Sequence, residues 1–344
     1  MKFVFFSGVS WNSCIGGRTV HLAWELSKHH EVHFVEMPSF RNWRIGTRRE
    51  ANVMIHTLVP KADCWAAGVS TVSLSRRIGL STAHLIVSHP AWAPLIRKLS
   101  YATLIYDYLD HPAVHTPGGR NFCRFAKADQ MLLEQADLVF AVSQTLKERL
   151  SLSKCHFLPN AIPAELLAEA LPSLPITKSI GFHGALYEWV DYALLEAIAD
   201  EFPEYQLRLA GPIRDERNLC RLRQKRNVVW TSHFHFKELS GIIGNFTIGV
   251  IPFLENDVGL CSDPLKTYEY LGLGRAVVST VPSAVKTSAF CRVSRGYFCT
   301  TLRKVLSELP SADVCREAVK SHTWAQRAAR LLELIQEGTP RHAE

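Results

Sequence analysis

The chain has 344 residues, a formal charge of +7, 47% hydrophobic and 21% charged residues. This composition excludes a disordered or fibrous protein, and the length suits two domains that each bury a core. The charge is uneven: Lys and Arg number 18 against 11 acidic residues in 1–160, and 21 against 21 in 161–344.

The run KFVFFSG (2–8) predicts a buried strand that ends in a glycine loop. Gly16-Gly17 then opens a helix carrying Val20, Leu22, Ala23, Trp24 and Leu26, and EVHFVE (31–36) is a second strand. Strand, glycine loop, helix, strand is a βαβ opening. Apolar runs recur at 51–59, 84–90, 103–110, 136–143 and 155–163, with helical stretches between several of them. A Pro-containing segment, 163–178, predicts a linker. The alternation restarts with strands at 179–184, 206–212, 227–232 and 247–253 and helices between them. SDPLKTYEYLGLGRAVVST (262–280) reads as an abruptly started helix turning into a strand, and 321–338 as a terminal helix. Two successive α/β halves follow, each a doubly wound parallel sheet, whose ligands belong beyond the carboxyl ends of the strands.

Asp263 is placed to cap the helix and Pro264 to fill its first position. Lys266 and Glu269, three apart, share a face. They make either an ordinary salt bridge or a phosphate-seeking cation beside a carboxylate that accepts two ribose hydroxyls. His89 follows the strand run 84–90, and Asp107, Asp110, His111 and His115 follow or end the next one. Their bland reading is turn chemistry; their sharper one is acceptor binding or proton removal.

Nine Cys make no C-x-x-C pair, and fifteen His make no H-E-x-x-H motif. Free thiols suit a reducing cytoplasm. Phe3–Phe6 is too short for a signal core or a membrane span. The basic first half suits a phosphorylated ligand or an anionic membrane surface, while nucleic acid fits poorly because aromatic residues are not interleaved with the charge. The expected location is cytoplasmic or peripheral on the inner membrane.

DPLKTYEYLGLGRAVVST resembles the signature of retaining, GT-B-fold glycosyltransferases of the family 4 type, especially those of bacterial cell-surface polysaccharide synthesis. ADLVFAVSQTLKERL, LPNAIP, IGFHGALYEWVDYALLEAIA and HTWAQRA support the resemblance in order along the chain. It implies two Rossmann-like domains facing a cleft: an acceptor domain over 1–165, a nucleotide-sugar domain over 175–320, and a terminal helix, 321–344, packing back on the first. It implies a metal-independent hexosyltransferase with no cofactor, a nucleoside diphosphate sugar as co-substrate, and a polysaccharide, lipid-linked or small-molecule acceptor.

The resemblance also implies site residues. Glu269 would bind ribose, and Lys266 would neutralise the diphosphate. Gly16, Gly17, Arg18, His183, Gly184 and Asp263 would join them at the donor, with His89, Lys266 and Asp110 in the catalytic group. Two departures stand out. Cys261 occupies the place of a family carboxylate, with backbone N–H groups of 259–263 as a substitute contact. A basic pair is missing from 182–192. A non-catalytic nucleotide-sugar-binding partner, or an epimerase or phosphorylase on the same fold, is the other reading.

Overall fold

A computed structural model describes residues 1–12, 17–36, 46–57, 76–111, 114, 122–169, 177–214, 219–232 and 234–338. The chain divides into two compact units, 1–158 with 327–344, and 159–326. The division falls ahead of Asn160 rather than in 163–178. Ile162 and Leu166 are buried in the core of the second unit, and Ile162 forms a bridge with Thr323, so the residues after 158 pack there.

The first unit holds eight strands: β1 (Lys2–Phe6), β2 (Glu31–Glu36), β3 (Gly46–Glu50), β4 (Val53–Thr57), β5 (His84–Val87), β6 (Thr103–Tyr108), β7 (Leu138–Ala141) and β8 (Cys155–Phe157). They form one sheet in the order β3-β4-β2-β1-β5-β6-β7-β8, parallel except for β3 against β4. Phe3, Val4, Phe5 and Phe6 are fully buried, as expected of a central parallel strand covered on both faces. Each such side chain withdrawn from water contributes roughly 1.5–3 kcal/mol. Strand β3 was not anticipated. Its sequence, GTRRE, has no apolar alternation because it is an exposed edge hairpin partner of β4.

The second unit adds β9 (Ser179–His183), β10 (Gln206–Ala210), β11 (Val228–Thr231), β12 (Ile248–Ile251), β13 (Val277–Ser279) and β14 (Phe290–Arg292). Their order is β11-β10-β9-β12-β13-β14, all parallel. Two glycines sit in central strands because large rings need their space. A Cβ at Gly181 would meet the Phe246 ring at 2.1 Å, and one at Gly249 the Tyr270 ring at 2.5 Å.

Both sheets reverse their winding direction next to their first strand. In the first sheet the reversal lies between β1 and β5, and in the second between β9 and β12. Such switch points open a crevice outside the carboxyl ends of the two strands, where ligands of doubly wound proteins bind. Among the described residues, no helix is long and apolar enough to cross a membrane.

Candidate functional site

At the first switch point, β1 runs into Ser7-Gly8 and β5 into Ser88-His89. Trp92 clamps this corner: its indole N–H donates to the Ser7 carbonyl at 2.9 Å and its ring meets Phe6 edge-on. A Cβ on Gly8 would lie 2.8 Å from the His89 ring, so Gly8 makes room for it. His89 is half-buried, and its Nδ1 accepts from the Ala91 N–H at 3.1 Å. Asp110 follows β6, half-buried, with its carboxyl pushed up to about 6 by burial and then by Asp107.

Two expectations in this unit change. Arg18, expected at the donor, is buried and spends its guanidinium on Asp107, with Nε at 3.0 Å from both carboxylate oxygens and Nη2 at 2.9 Å from one. Asp107 is thereby taken out of the acceptor set. A paired, desolvated Arg–Asp fork is a bracing element, because removing either partner strands a charge. Gly17 stands before the helix Arg18–Leu26 in an extended conformation, while Gly16 and His115 lie outside the described residues.

The second switch point is richer. The helix Leu265–Gly272 packs over β12 and turns sharply at Gly274, whose φ of +74° suits glycine and whose missing Cβ would meet Ala312 at 2.8 Å. Tyr270 crosses Gly249, and its hydroxyl accepts the His183 backbone N–H at 2.9 Å, which ties the helix to the end of β9. Lys266, one turn earlier, therefore lies across Gly184. A Cβ there would sit 2.6 Å from the lysine Cε and Nζ, and the Gly184 φ of +115° excludes most other residues as well. The ammonium packs over the rings of Phe182 in β9, at 5.4 Å, and Phe253, two residues past the end of β12, at 5.5 Å.

The i,i+3 bridge does not form: among the described residues no carboxylate stands within 4 Å of the Lys266 ammonium. Burial lowers the lysine pKa, while Glu269 pulls it back up. The Glu269 carboxylate, 4% exposed, turns instead to His183, with Oε2 3.0 Å from Nε2. That contact has ion-pair length without the alignment of a hydrogen bond, and the buried Nδ1 of His183 has no partner. Desolvation lowers the His183 pKa against the pull of Glu269. His183, expected at the donor, has both ring nitrogens enclosed, and its ring meets Glu269.

Asp263 also changes role. The helix starts at Leu265 with Pro264 in the cap position and no side-chain cap. The Asp263 carboxylate instead accepts from the Asn160 N–H (2.9 Å), the Tyr268 hydroxyl (2.6 Å), the Ser283 hydroxyl (3.1 Å) and the Ala284 N–H (3.1 Å). It ties the loops at Asn160 and Ser283-Ala284 to the first turns of the helix. Cys261 is fully buried, and the backbone N–H groups expected to replace its lost carboxylate are committed locally. Those of Gly259, Leu260, Cys261 and Ser262 donate to Asn256 Oδ1, Asn256 O, Asp257 O and Gly259 O. Arg214 is exposed, and Trp189 stacks on Tyr187 at 4.3 Å.

Phe182, Phe253 and Gly211 were not singled out from sequence. Gly211, at φ +141°, closes on the Gly184 carbonyl, so the loops after β9 and β10 are shaped together. Positive-φ glycines directly after parallel strands were the available signal. Among the described residues, no group of three or more His, Cys, Asp and Glu is placed to hold a metal ion.

The second-unit arrangement can do one thing chemically: offer an unpaired cation, and a carboxylate fixed in place, to a ligand that is both anionic and hydroxyl-bearing. No family model matches the chain. It is 24% identical over 216 residues to TuaH of Bacillus subtilis (strain 168), named for a glycosyltransferase of teichuronic acid biosynthesis; the match covers 56% of this chain. The chain spans about half, 54%, of that relative's length. Its fold is that of solved GT-B glycosyltransferases. Sucrose-phosphate synthase of Thermosynechococcus elongatus superposes with a TM-score of 0.80 at 13% identity, covering 98% of both chains. Anabaena HepE, solved with UDP and glucose, superposes with a TM-score of 0.72 at 12% identity, covering 98% of this chain and all of its own.

Proposed function

We propose that this chain is a glycosyltransferase that moves a sugar, with retention, from a nucleoside diphosphate sugar to a polysaccharide, lipid-linked or small-molecule acceptor. The observation that carries the reading is Lys266, a half-buried ammonium held over Gly184 without a carboxylate partner, at the β9/β12 switch point. In this reading Lys266 binds the diphosphate and neutralises the charge that grows as the sugar–phosphate bond breaks. Glu269, one turn on, accepts from the ribose hydroxyls. His183 fixes the Glu269 carboxylate, so its orientation is set before the donor arrives. The reaction needs no further cofactor. His89 and Asp110 take the acceptor side, with Asp110 near pH 6 suited to receive a hydroxyl proton. The UDP of the HepE complex supports a nucleotide donor, and the name of TuaH supports a cell-surface polymer as product. Such work places the protein in the cytoplasm or peripherally on the inner membrane, where the basic first unit would meet anionic lipid.

Buried Cys261 favours a second reading, a donor-binding partner that does not turn over, because it is no carboxylate and neighbouring Asp263 spends its own on Tyr268 and Ser283. A thermal-shift screen of UDP, GDP, TDP and ADP, followed by hydrolysis of the matching sugar nucleotides, separates the two. The transferase is expected to be stabilised by one nucleotide and to release sugar slowly to water. Binding without any release supports the partner, and no shift with any nucleotide overturns both.

A further inference from the structure

A cavity of about 430 Å³ lies in the first unit at the carboxyl ends of β2 and β4. Ser10, Asn12 and Thr47 line it together with Glu36, Arg48 and Thr57. Its size falls within the roughly 300–1,000 Å³ of small-molecule sites. Glu36 is its floor. That side chain is buried, and it accepts from the Trp11 N–H at 3.0 Å, the Thr57 hydroxyl at 2.5 Å and Arg48 Nη1 at 2.8 Å. These bonds outweigh burial and keep the carboxylate ionised. Arg48 is shared: its Nε donates to Glu50 Oε1 at 3.1 Å, and Asn12 reaches the same oxygen at 3.5 Å.

The charge balance decides the ligand class. The lining pairs one carboxylate, Glu36, with one guanidinium, Arg48, which Glu50 also claims, so no uncompensated positive charge awaits an anion. A neutral polyol meets a different surface: a fixed carboxylate, a planar guanidinium, an amide and three hydroxyls, all able to hydrogen-bond. Resting on the transferase reading above, we propose that this pocket holds an uncharged glycosyl unit of the acceptor. The edge strand β3 then has a task, because it delivers Arg48 and Thr47 to the wall.

Gly46 provides a clean test, since a Cβ built there meets nothing within 4 Å. Gly46→Trp can therefore be accommodated, and it sets a ring beside Arg48 on the same face of β3, opposite Thr57, where it crowds the pocket; Arg48→Met removes the polar wall. The probes are methyl β-glucoside, methyl β-galactoside and N-acetylglucosamine, with glycerol 1-phosphate as the anionic arm, read by saturation-transfer NMR. The UDP-induced thermal shift is followed in the same samples. At least one neutral sugar is expected to bind the wild type and to weaken about tenfold or more in both variants, as loss of one charged hydrogen bond implies. The UDP shift is expected to persist in both. Sugar binding unaffected by Gly46→Trp, binding of glycerol 1-phosphate alone, or a wild type that binds UDP but none of the sugars overturns the proposal. Failure of UDP in every sample sinks the donor reading instead, and the sugar comparison still decides the pocket.

Discussion

Lys266→Met separates binding from stability. The substitution keeps the aliphatic stem over Phe182 and Phe253 and removes the ammonium. In the free protein the ammonium gains about 0.5–2 kcal/mol from the two ring faces. Against that stands its burial without a carboxylate within 4 Å, and an effective desolvation penalty of several kcal/mol per ion. The ligand-free variant should therefore be as stable as wild type, or up to about 2 kcal/mol more stable, in urea denaturation followed by tryptophan fluorescence. Diphosphate binding should suffer. Loss of one charge-assisted hydrogen bond, about 1.5–3 kcal/mol, raises the Kd for UDP roughly 10- to 150-fold by isothermal titration calorimetry. A variant destabilised by more than about 1 kcal/mol that still binds UDP as tightly as wild type would refute the reasoning, because Lys266 would then be a packing residue.

Three further outcomes follow from the same structure. His56 is buried with its Nε2 2.9 Å from His33 Nδ1 and its Nδ1 3.0 Å from the Thr47 hydroxyl, and its pKa is lowered to about 4. The native state thus binds fewer protons than the unfolded one between pH 6.5 and 4. The stability this group contributes is complete above 6.5 and lost as pH falls towards 4, by up to ~3 kcal/mol. His56→Gln should flatten that part of a stability–pH curve, and an unchanged slope contradicts the assignment. Arg18→Met should cost about 3–5 kcal/mol by stranding buried Asp107, and adding Asp107→Leu should restore most of it in chemical denaturation. Equal stability of the single variant and wild type would show that the pair braces nothing. Gly184→Ala should weaken UDP binding, since its Cβ and the Lys266 Cε claim the same space; unchanged affinity would show that Lys266 has another way to the phosphate.

Most of the fold was legible because buried parallel strands leave continuous apolar runs, such as KFVFF and the core of HLIVSHP. Edge elements left no such trace. β3 is polar because one side of it has no neighbour, and β14 has only three residues, FCR. The candidate site was legible in part for a similar reason. Helical spacing puts Lys266 and Glu269 on one face, but it cannot say which partner each prefers. Glu269 chose His183, 86 positions away, because β9 lies beside β12 in the sheet. Asp263 looked like a cap by its local sequence, and two distant loops, at Asn160 and at Ser283-Ala284, claimed its carboxylate. Local sequence marked the helix to within a residue of its start, and topology decided what its side chains meet.

The most direct test of the donor site compares UDP with 2′-deoxy-UDP on wild type and on Glu269→Gln, by calorimetry. If Glu269 accepts from the ribose, wild type should lose about tenfold in affinity when the hydroxyl is removed, as expected for a hydrogen bond to a charged group. Glu269→Gln should bind UDP more weakly than wild type and discriminate little between the two nucleotides. A wild type indifferent to the hydroxyl, or a variant that discriminates as strongly as wild type, would contradict the account.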